Sequence, residues 1–215
     1  MSAPPKTELI AAPEEERAIR TAVRNADPLL LGPNRAITTA DHAVGLLALL
    51  ADPQVSDPIY DLPRPFTLES IKNWITDCQS RRRRGECILV VTLDGNGEVA
   101  GYSKITVWPE RSSAELGGAL RADLQNSGSG GAGAFHTFGW IFETLGVRLM
   151  CLTAALDNTR SARLIDRAGF VRMGERDSVR ADDPIRRSLY WELTREQWKD
   201  VVKRAQSAGQ RPVRN

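Results

Sequence analysis

The spacing of apolar residues changes repeatedly along the chain, and each change marks an element. Pro13 and the acidic run behind it open PEEERAIRTAVRNAD as a short helix, because proline is pre-set for a first helical turn and carboxylates suit the positive helix end. TTADHAVGLLALLADP predicts a second helix, with a Thr or Asp cap, apolar Val44, Leu46, Leu47 and Leu50, and Pro53 as its stop. In FTLESIKNWITDCQSRRRRG, Phe66, Leu68, Ile71, Trp74 and Ile75 recur at helical spacing behind Thr67 and Ser70. Short β-rich runs then take over. CILVVTL, GYSKITVW and AELGGALRADL, separated by DGNG and PERS, predict a three-stranded antiparallel meander. Phe135, Phe138, Ile141, Phe142 and Leu145 return to steps of three and four, so a one-faced helix follows the glycine-rich stretch. VRLMCLTAA reads as a strand, NTRSARLIDRAG as a helix closed by Gly169, and VRMGERDSVR with RRSLYWELT as a final hairpin joined through ADDP. Helices, meander, helix, strand, helix and hairpin in that order make an α+β domain around a mixed sheet.

The chain has 215 residues, enough for one domain with terminal extensions and a core that needs neither metal nor disulfide. Residues 1–35 form an extension whose first twelve or so residues read as a flexible tail, 36–198 form the domain, and 199–215 form a polar tail. A net charge of +2, from 29 basic and 27 acidic residues, gives no electrostatic case for nucleic-acid binding. Cys78, Cys87 and Cys151 lack metal-ligand spacing, which argues for a reducing compartment and against structural zinc. No apolar run is long enough to span a membrane, so a soluble, cytoplasmic protein is expected. Arg81 to Arg84 read as a basic helix end complementing the helix dipole, with an anionic substrate as the competing reading.

Candidate chemistry concentrates around residues 124–146. Gly128, Gly130, Gly131, Gly133 and Gly139 crowd one stretch, a density that a helix tolerates only when the backbone has a task. At a helix N-terminus, glycines let a phosphate approach unpaired N–H groups, and a pyrophosphate is the natural ligand. No Lys-Ser or Lys-Thr follows, which removes the Walker loop, and the preceding strand belongs to a meander and not to a βαβ unit.

Gln125-Asn126-Ser127-Gly128-Ser129-Gly130 matches the Gln/Arg-x-x-Gly-x-Gly/Ala loop of the GNAT acyltransferase superfamily, and its surroundings extend the match. A helix ending at Leu145-Gly146 comes next, then a strand, then Asn158, Ser161, Leu164, Gly169 and Phe170 as N-x-x-S-x-x-L-x-x-x-x-G-F. Glu115-Leu116-Gly117, and Tyr190 to Thr194 followed by Trp198, are similar to strands of the ribosomal-protein N-terminal acetyltransferase subgroup. The resemblance covers about residues 36–198. It implies a mixed, mostly antiparallel central sheet of about seven strands with helices on both faces. Residues 1–35 have no counterpart in it.

What the resemblance implies for chemistry is transfer of an acetyl group from acetyl-coenzyme A to a primary amine, by direct attack in a ternary complex. The coenzyme pyrophosphate would lie on the backbone of Leu124, Gln125, Asn126, Ser127, Gly128, Ser129 and Gly130, and its pantetheine arm along the strand 115–123. Asn158 would hydrogen-bond that arm while also capping its helix. Glu115 is the candidate general base, its pKa raised by partial burial, or else a rim carboxylate paired with an arginine. Ser161 would protonate the departing sulfur, or else bond its own helix backbone. Tyr190 is a second acid candidate, with a plain core aromatic as the alternative. Arg163, with Arg160 and Arg167 on one helix face, would meet the coenzyme's 3′-phosphate or stay solvated. His136 carries no catalytic assignment. Only two histidines and no G-x-S-x-G elbow leave little support for a hydrolase triad. Two other readings stay open: a catalytically weak domain that binds acyl-coenzyme A as a sensor, and a phosphate-binding redox domain. The identity of the amine, a homodimer through the N-terminal helix, and the acyl-chain preference lie beyond the sequence.

Overall fold

The computed structural model describes residues 3–125, 129–178 and 185–209. Among them, strands β1 (Arg35–Ile37), β2 (Cys87–Leu93), β3 (Val99–Trp108), β4 (Ser113–Leu120), β5 (Leu149–Ala155), β6 (Val171–Ser178) and β7 (Arg186–Thr194) form one sheet. Its order is β1-β2-β3-β4-β5-β7-β6, antiparallel throughout except for the parallel pair β4–β5. The helices are α1 (Pro13–Arg24), α2 (Ala43–Ala51), α3 (Pro53–Ser56), α4 (Leu68–Arg84), α5 (Ser129–Trp140), α6 (Thr159–Arg167) and α7 (Arg195–Gly209). The expected α+β architecture, with seven strands and helices on both faces, is the one observed.

Each face has its own core. Ile88, Val90, Ile105, Val107, Met150, Leu152, Trp191 and Leu193 point to one side, where α1, α5, α6 and Trp198 of α7 pack on them. Leu89, Val91 and Tyr102 point to the other and meet α2 and α4 through Leu46, Leu50, Ile71 and Ile75. Alternation along β2 explains the division, since successive strand side chains take opposite faces. On the second side, α2 to α4 cover the β1–β4 half alone.

Several boundaries differ from the sequence reading. Strand β1 is not expected from the sequence, because its three residues are too few to show a period of two. A single 3₁₀ turn, Ala40–His42, precedes α2, because Thr39 and His42 cap each other reciprocally there. Pro53 does stop α2, but it also opens α3, with Asp52 accepting from the Gln54 N–H. β4 ends at Leu120 and turns into a 3₁₀ segment, Ala122–Leu124, so the strand expected over 115–123 is shorter.

Both termini are more ordered than expected. Ile19 and Val23 of α1 sit in the first core with 1% and 0% exposure, each such burial being worth roughly 1.5–3 kcal/mol. Residues 3–11, read as a flexible tail, lie across the sheet. The C-terminal tail expected from 199 onward is helical through Gly209, its start fixed by a Thr194–Gln197 cap and by Trp198 buried among Phe135, Phe138 and Phe142. Two of the four arginines ending α4 have structural partners. Arg82 donates to the Arg24 and Ala26 carbonyls, Arg84 pairs with Glu86, and Gly85 closes the helix at φ 80°.

Candidate active site at the fork between two strands

The ladder between β4 and β5 runs over three pairs, Ser113–Leu149, Ala114–Met150 and Glu115–Cys151. Beyond them β4 continues against β3 and β5 continues against β7, so the two strands diverge with Glu115 at the apex. A cavity of about 950 Å³ fills this fork. Residues from both faces of the sheet line it, Leu116, Leu152 and Phe138 from one side and Lys104, Glu115 and Thr153 from the other. The lining therefore takes in residues of both sheet faces around Glu115.

On the α5–α6 side, the residues point to a long, polar-ended ligand. Asn158 caps α6, its Oδ1 accepting from the Ser161 N–H at 3.1 Å, which leaves the amide NH₂ for the cavity. The Ser161 hydroxyl makes no backbone bond of its own among the described residues, and it too lines the cavity. Gln125 bridges β4 and α6, donating from Nε2 to the Leu120 carbonyl at 2.7 Å and accepting from Arg160 Nη1 at 2.6 Å. The N–H groups of Leu124 and Gln125 close the 3₁₀ segment, donating to Arg121 and Ala122. They are thus committed, whereas a helix that begins as α5 does at Ser129 leaves the N–H groups of its first turn without partners inside the helix. The expected cradle residues Asn126, Ser127 and Gly128 lie outside the described residues. A Cβ on Gly131 or Gly133 would enter open space, and both glycines line the cavity. Gly139 is different: its Cβ would come within 3.3 Å of Trp198, so close helix packing accounts for it. Arg163 and Arg167 line the same opening beside Arg160, while exposed His136 lies within 2.9 Å of the Leu30 carbonyl, away from any chemistry.

The opposite side holds a row of polar groups on adjacent strands: Thr106, Glu115, Cys151 and Glu192 face the same way, with Thr153 and Tyr190 in the next row. Glu115 is 9% exposed and accepts from the Thr153 hydroxyl at 3.3 Å. Burial, and secondarily the Glu115 charge, push the Cys151 thiol well up, so it stays protonated and is a poor nucleophile. Lys104, 8% exposed on β3, pairs with Asp61 at 2.5 Å. Burial alone would raise the Asp61 carboxyl, but Lys104 holds it below the usual range. Tyr190 is wholly buried, and burial raises its phenol, with Cys151 and the bond to Glu192 adding to the shift. Its hydroxyl donates to Glu192 Oε1 and accepts from the Lys6 N–H.

Glu192 adds a pH dependence. Burial would raise its pKa, but donors from Thr7, Tyr190 and Lys6 outweigh that and leave it lowered. A lowered folded-state pKa contributes stability above the unfolded value of about 4.3, and this is lost as pH falls through the folded value. The thermal midpoint should therefore drop steeply below about pH 4, and Glu192→Gln should flatten that decline; an unchanged acid limb in the variant would refute the assignment.

Thr153, Lys104, Asp61 and Glu192 were not singled out from sequence. A signal was present in β3 and β7, where Lys104 and Glu192 stand at positions whose alternation otherwise faces inward.

A family model described as an acetyltransferase (GNAT) domain matches residues 35–171. By sequence, no curated protein matches the chain. Among solved structures, Mycobacterium smegmatis RimJ in complex with CoA-disulfide is similar at a TM-score of 0.67 and 17% identity, over 81% of this chain and 88% of that one. The ribosomal-protein-S5-alanine acetyltransferase of Vibrio fischeri gives 0.63 at 16% identity, covering 76% and 93%. RimL, a ribosomal L7/L12 α-N-protein acetyltransferase in complex with coenzyme A, gives 0.63 at 15%, covering 76% and 96%. At such identities these structures speak to the fold.

Proposed function

We propose that this chain, which belongs to the GNAT acetyltransferase family, transfers an acetyl group from acetyl-coenzyme A to a primary amine by direct attack within a ternary complex. The observation that carries the reading is the fork itself, a cavity lined from both faces of the sheet with Glu115 at its apex. Acetyl-coenzyme A supplies an activated thioester. The first turn of α5, the Asn158 amide and Arg163 are the groups suited to hold it from the α5–α6 side.

The amine enters from the other side, toward Glu115. Glu115, directly or through a water molecule, takes the proton that the nitrogen loses as the N–C bond forms and the C–S bond breaks. The Ser161 hydroxyl donates a hydrogen bond to the leaving thiolate, a role favoured by its making no backbone bond among the described residues. Tyr190 has its proton committed to Glu192, so in this reading it orients that carboxylate and delivers no proton. A covalent route through Cys151 is disfavoured because that thiol is buried and protonated. Peptide N-termini are the favoured amine class, by analogy with the ribosomal-protein acetyltransferases of the same fold.

Acetyl-coenzyme A should raise the melting temperature measurably at concentrations well above its Kd, and NAD should not. Mass spectrometry of an amine and peptide panel should then show products heavier by one acetyl group. Stabilisation by NAD alone would transfer support to a redox domain, whereas coenzyme binding without turnover on any amine would support a sensor.

A further inference from the structure

Among the described residues, no helix covers the face of strands β5, β7 and β6 that bears Tyr190 and Glu192. Residues 3–11 cover it instead, a segment outside the part of the chain that the acetyltransferase family model matches. The coverage is made of specific bonds. The Thr7 N–H donates to Glu192 Oε1 at 3.0 Å and its hydroxyl to Oε2, while the Lys6 N–H donates to the Tyr190 hydroxyl at 3.1 Å. Arg176 holds the Ala3 and Pro4 carbonyls, Arg111 holds that of Pro5, and the Lys6 ammonium reaches the Met173 and Glu175 carbonyls at 3.0 Å. Further along, Arg148 donates to the Ile10 carbonyl and the Ala11 N–H to that of Glu110. Ala3 and Arg176 line the same cavity as Glu115.

We propose that this segment, anchored on β6 and β7 through residues 3–7 and reaching the cavity at Ala3, is a fixed wall at the acceptor side of the fork and determines which amines reach Glu115. The proposal rests on the acetyl-transfer reading for the word amine, and on the contacts above for the wall. Three features favour a wall over a displaceable plug. With the segment in place its anchors Tyr190 and Glu192 are 0% and 5% exposed, and lifting it would break the three hydrogen bonds that Lys6 and Thr7 make to them. Pro4 and Pro5 fix φ at successive residues and stiffen the end that reaches the cavity. The segment leads into α1, whose Ile19 and Val23 are core residues, which limits its freedom to swing away. The opposite wall is the segment around Tyr60 and Asp61, tied to the sheet by Lys104. An acceptor must pass between the two.

The test uses the full-length protein and a double variant, Lys6→Gly with Thr7→Gly, which removes the side-chain anchors. With two acceptors of different bulk, a small alkylamine and a tripeptide, the ratio of their kcat/KM values should shift at least about fivefold through acceptor KM, with the acetyl-coenzyme A KM unchanged within about twofold. In the wild-type protein, hydrogen exchange at the Lys6 and Thr7 amides should be at least about tenfold slower than in a free peptide of the same sequence, with and without coenzyme and amine. A selectivity ratio unchanged within twofold would overturn the specificity role. Fast exchange, or protection lost on adding amine together with higher kcat/KM for every acceptor, would overturn the wall. Slow exchange without turnover on any amine would sink the acetyl-transfer reading and leave the wall standing.

Discussion

Replacing Glu115 by glutamine is expected to lower kcat/KM for amine acetylation about 10²- to 10⁴-fold, the range over which a positioned general base contributes. Glutamine keeps the size of the side chain and can still accept from the Thr153 hydroxyl, 3.3 Å away in the wild type, so the fork should keep its shape. What glutamine lacks is the capacity to take a proton. The loss should therefore fall on kcat, with the Kd of acetyl-coenzyme A unchanged within about twofold, because an interaction made only as the bond forms adds nothing to ground-state binding. Glu115→Asp gives an independent check: it restores the carboxylate about one methylene short and should recover part of the rate, directly or through water. Retention of more than a third of the wild-type kcat in Glu115→Gln would reassign the base. Glu192 is an alternative in the same row of the sheet, but its two oxygens are already engaged by Thr7 and Tyr190.

The position of Glu115 shows where sequence reasoning succeeded and where it could not reach. Motifs along the chain named Glu115, Asn158 and Ser161, and the fold brings all three to one cavity. The resemblance to family motifs could name them, because a strand glutamate before Leu-Gly and an Asn-x-x-Ser helix start are contiguous in sequence. The fork is not contiguous. It arises because β4 and β5 share three residue pairs and then separate, a property of two strands 28 residues apart that no local pattern encodes. The same holds for residues 3–11. APPKTELIA holds two adjacent prolines and no helical or strand period, which also describes a solvated tail. Only the buried donors and acceptors of β7 distinguish the two, and their partners lie about 185 residues away in sequence. At the C-terminus, the periodicity of α7 is carried by Trp198, Val201 and Val202 among charged residues, a short apolar stripe that composition alone reads as polar.

Trp191 holds the far side of the site together, and truncating it to alanine should cost about 3–5 kcal/mol, the range for removing a buried aromatic and leaving a cavity. The side chain is 0% exposed on β7, in the core shared by α1, α5 and α6. Its indole N–H donates to Asp166 Oδ1 at 2.9 Å, and Arg172 of β6 reaches the same carboxylate at 3.0 and 2.6 Å while its guanidinium lies 5.6 Å from the Trp191 ring centre. Trp191 thus joins β7, β6 and the C-terminal part of α6, the helix whose first turn presents Asn158 and Ser161. Because packing and hydrogen bonding are separable here, two variants divide the effect. Trp191→Phe keeps most of the apolar volume and leaves Asp166 held by Arg172, so its cost should be nearer about 1 kcal/mol. Urea denaturation monitored by far-UV circular dichroism gives both values from the midpoint shift at constant slope. Equal losses in the two variants would mean that the bond to Asp166, and not the packing of the indole, dominates. If packing dominates, Trp191→Phe should bind acetyl-coenzyme A as the wild type does, since α6 then keeps its seat on the sheet and the Asn158 cap keeps its direction.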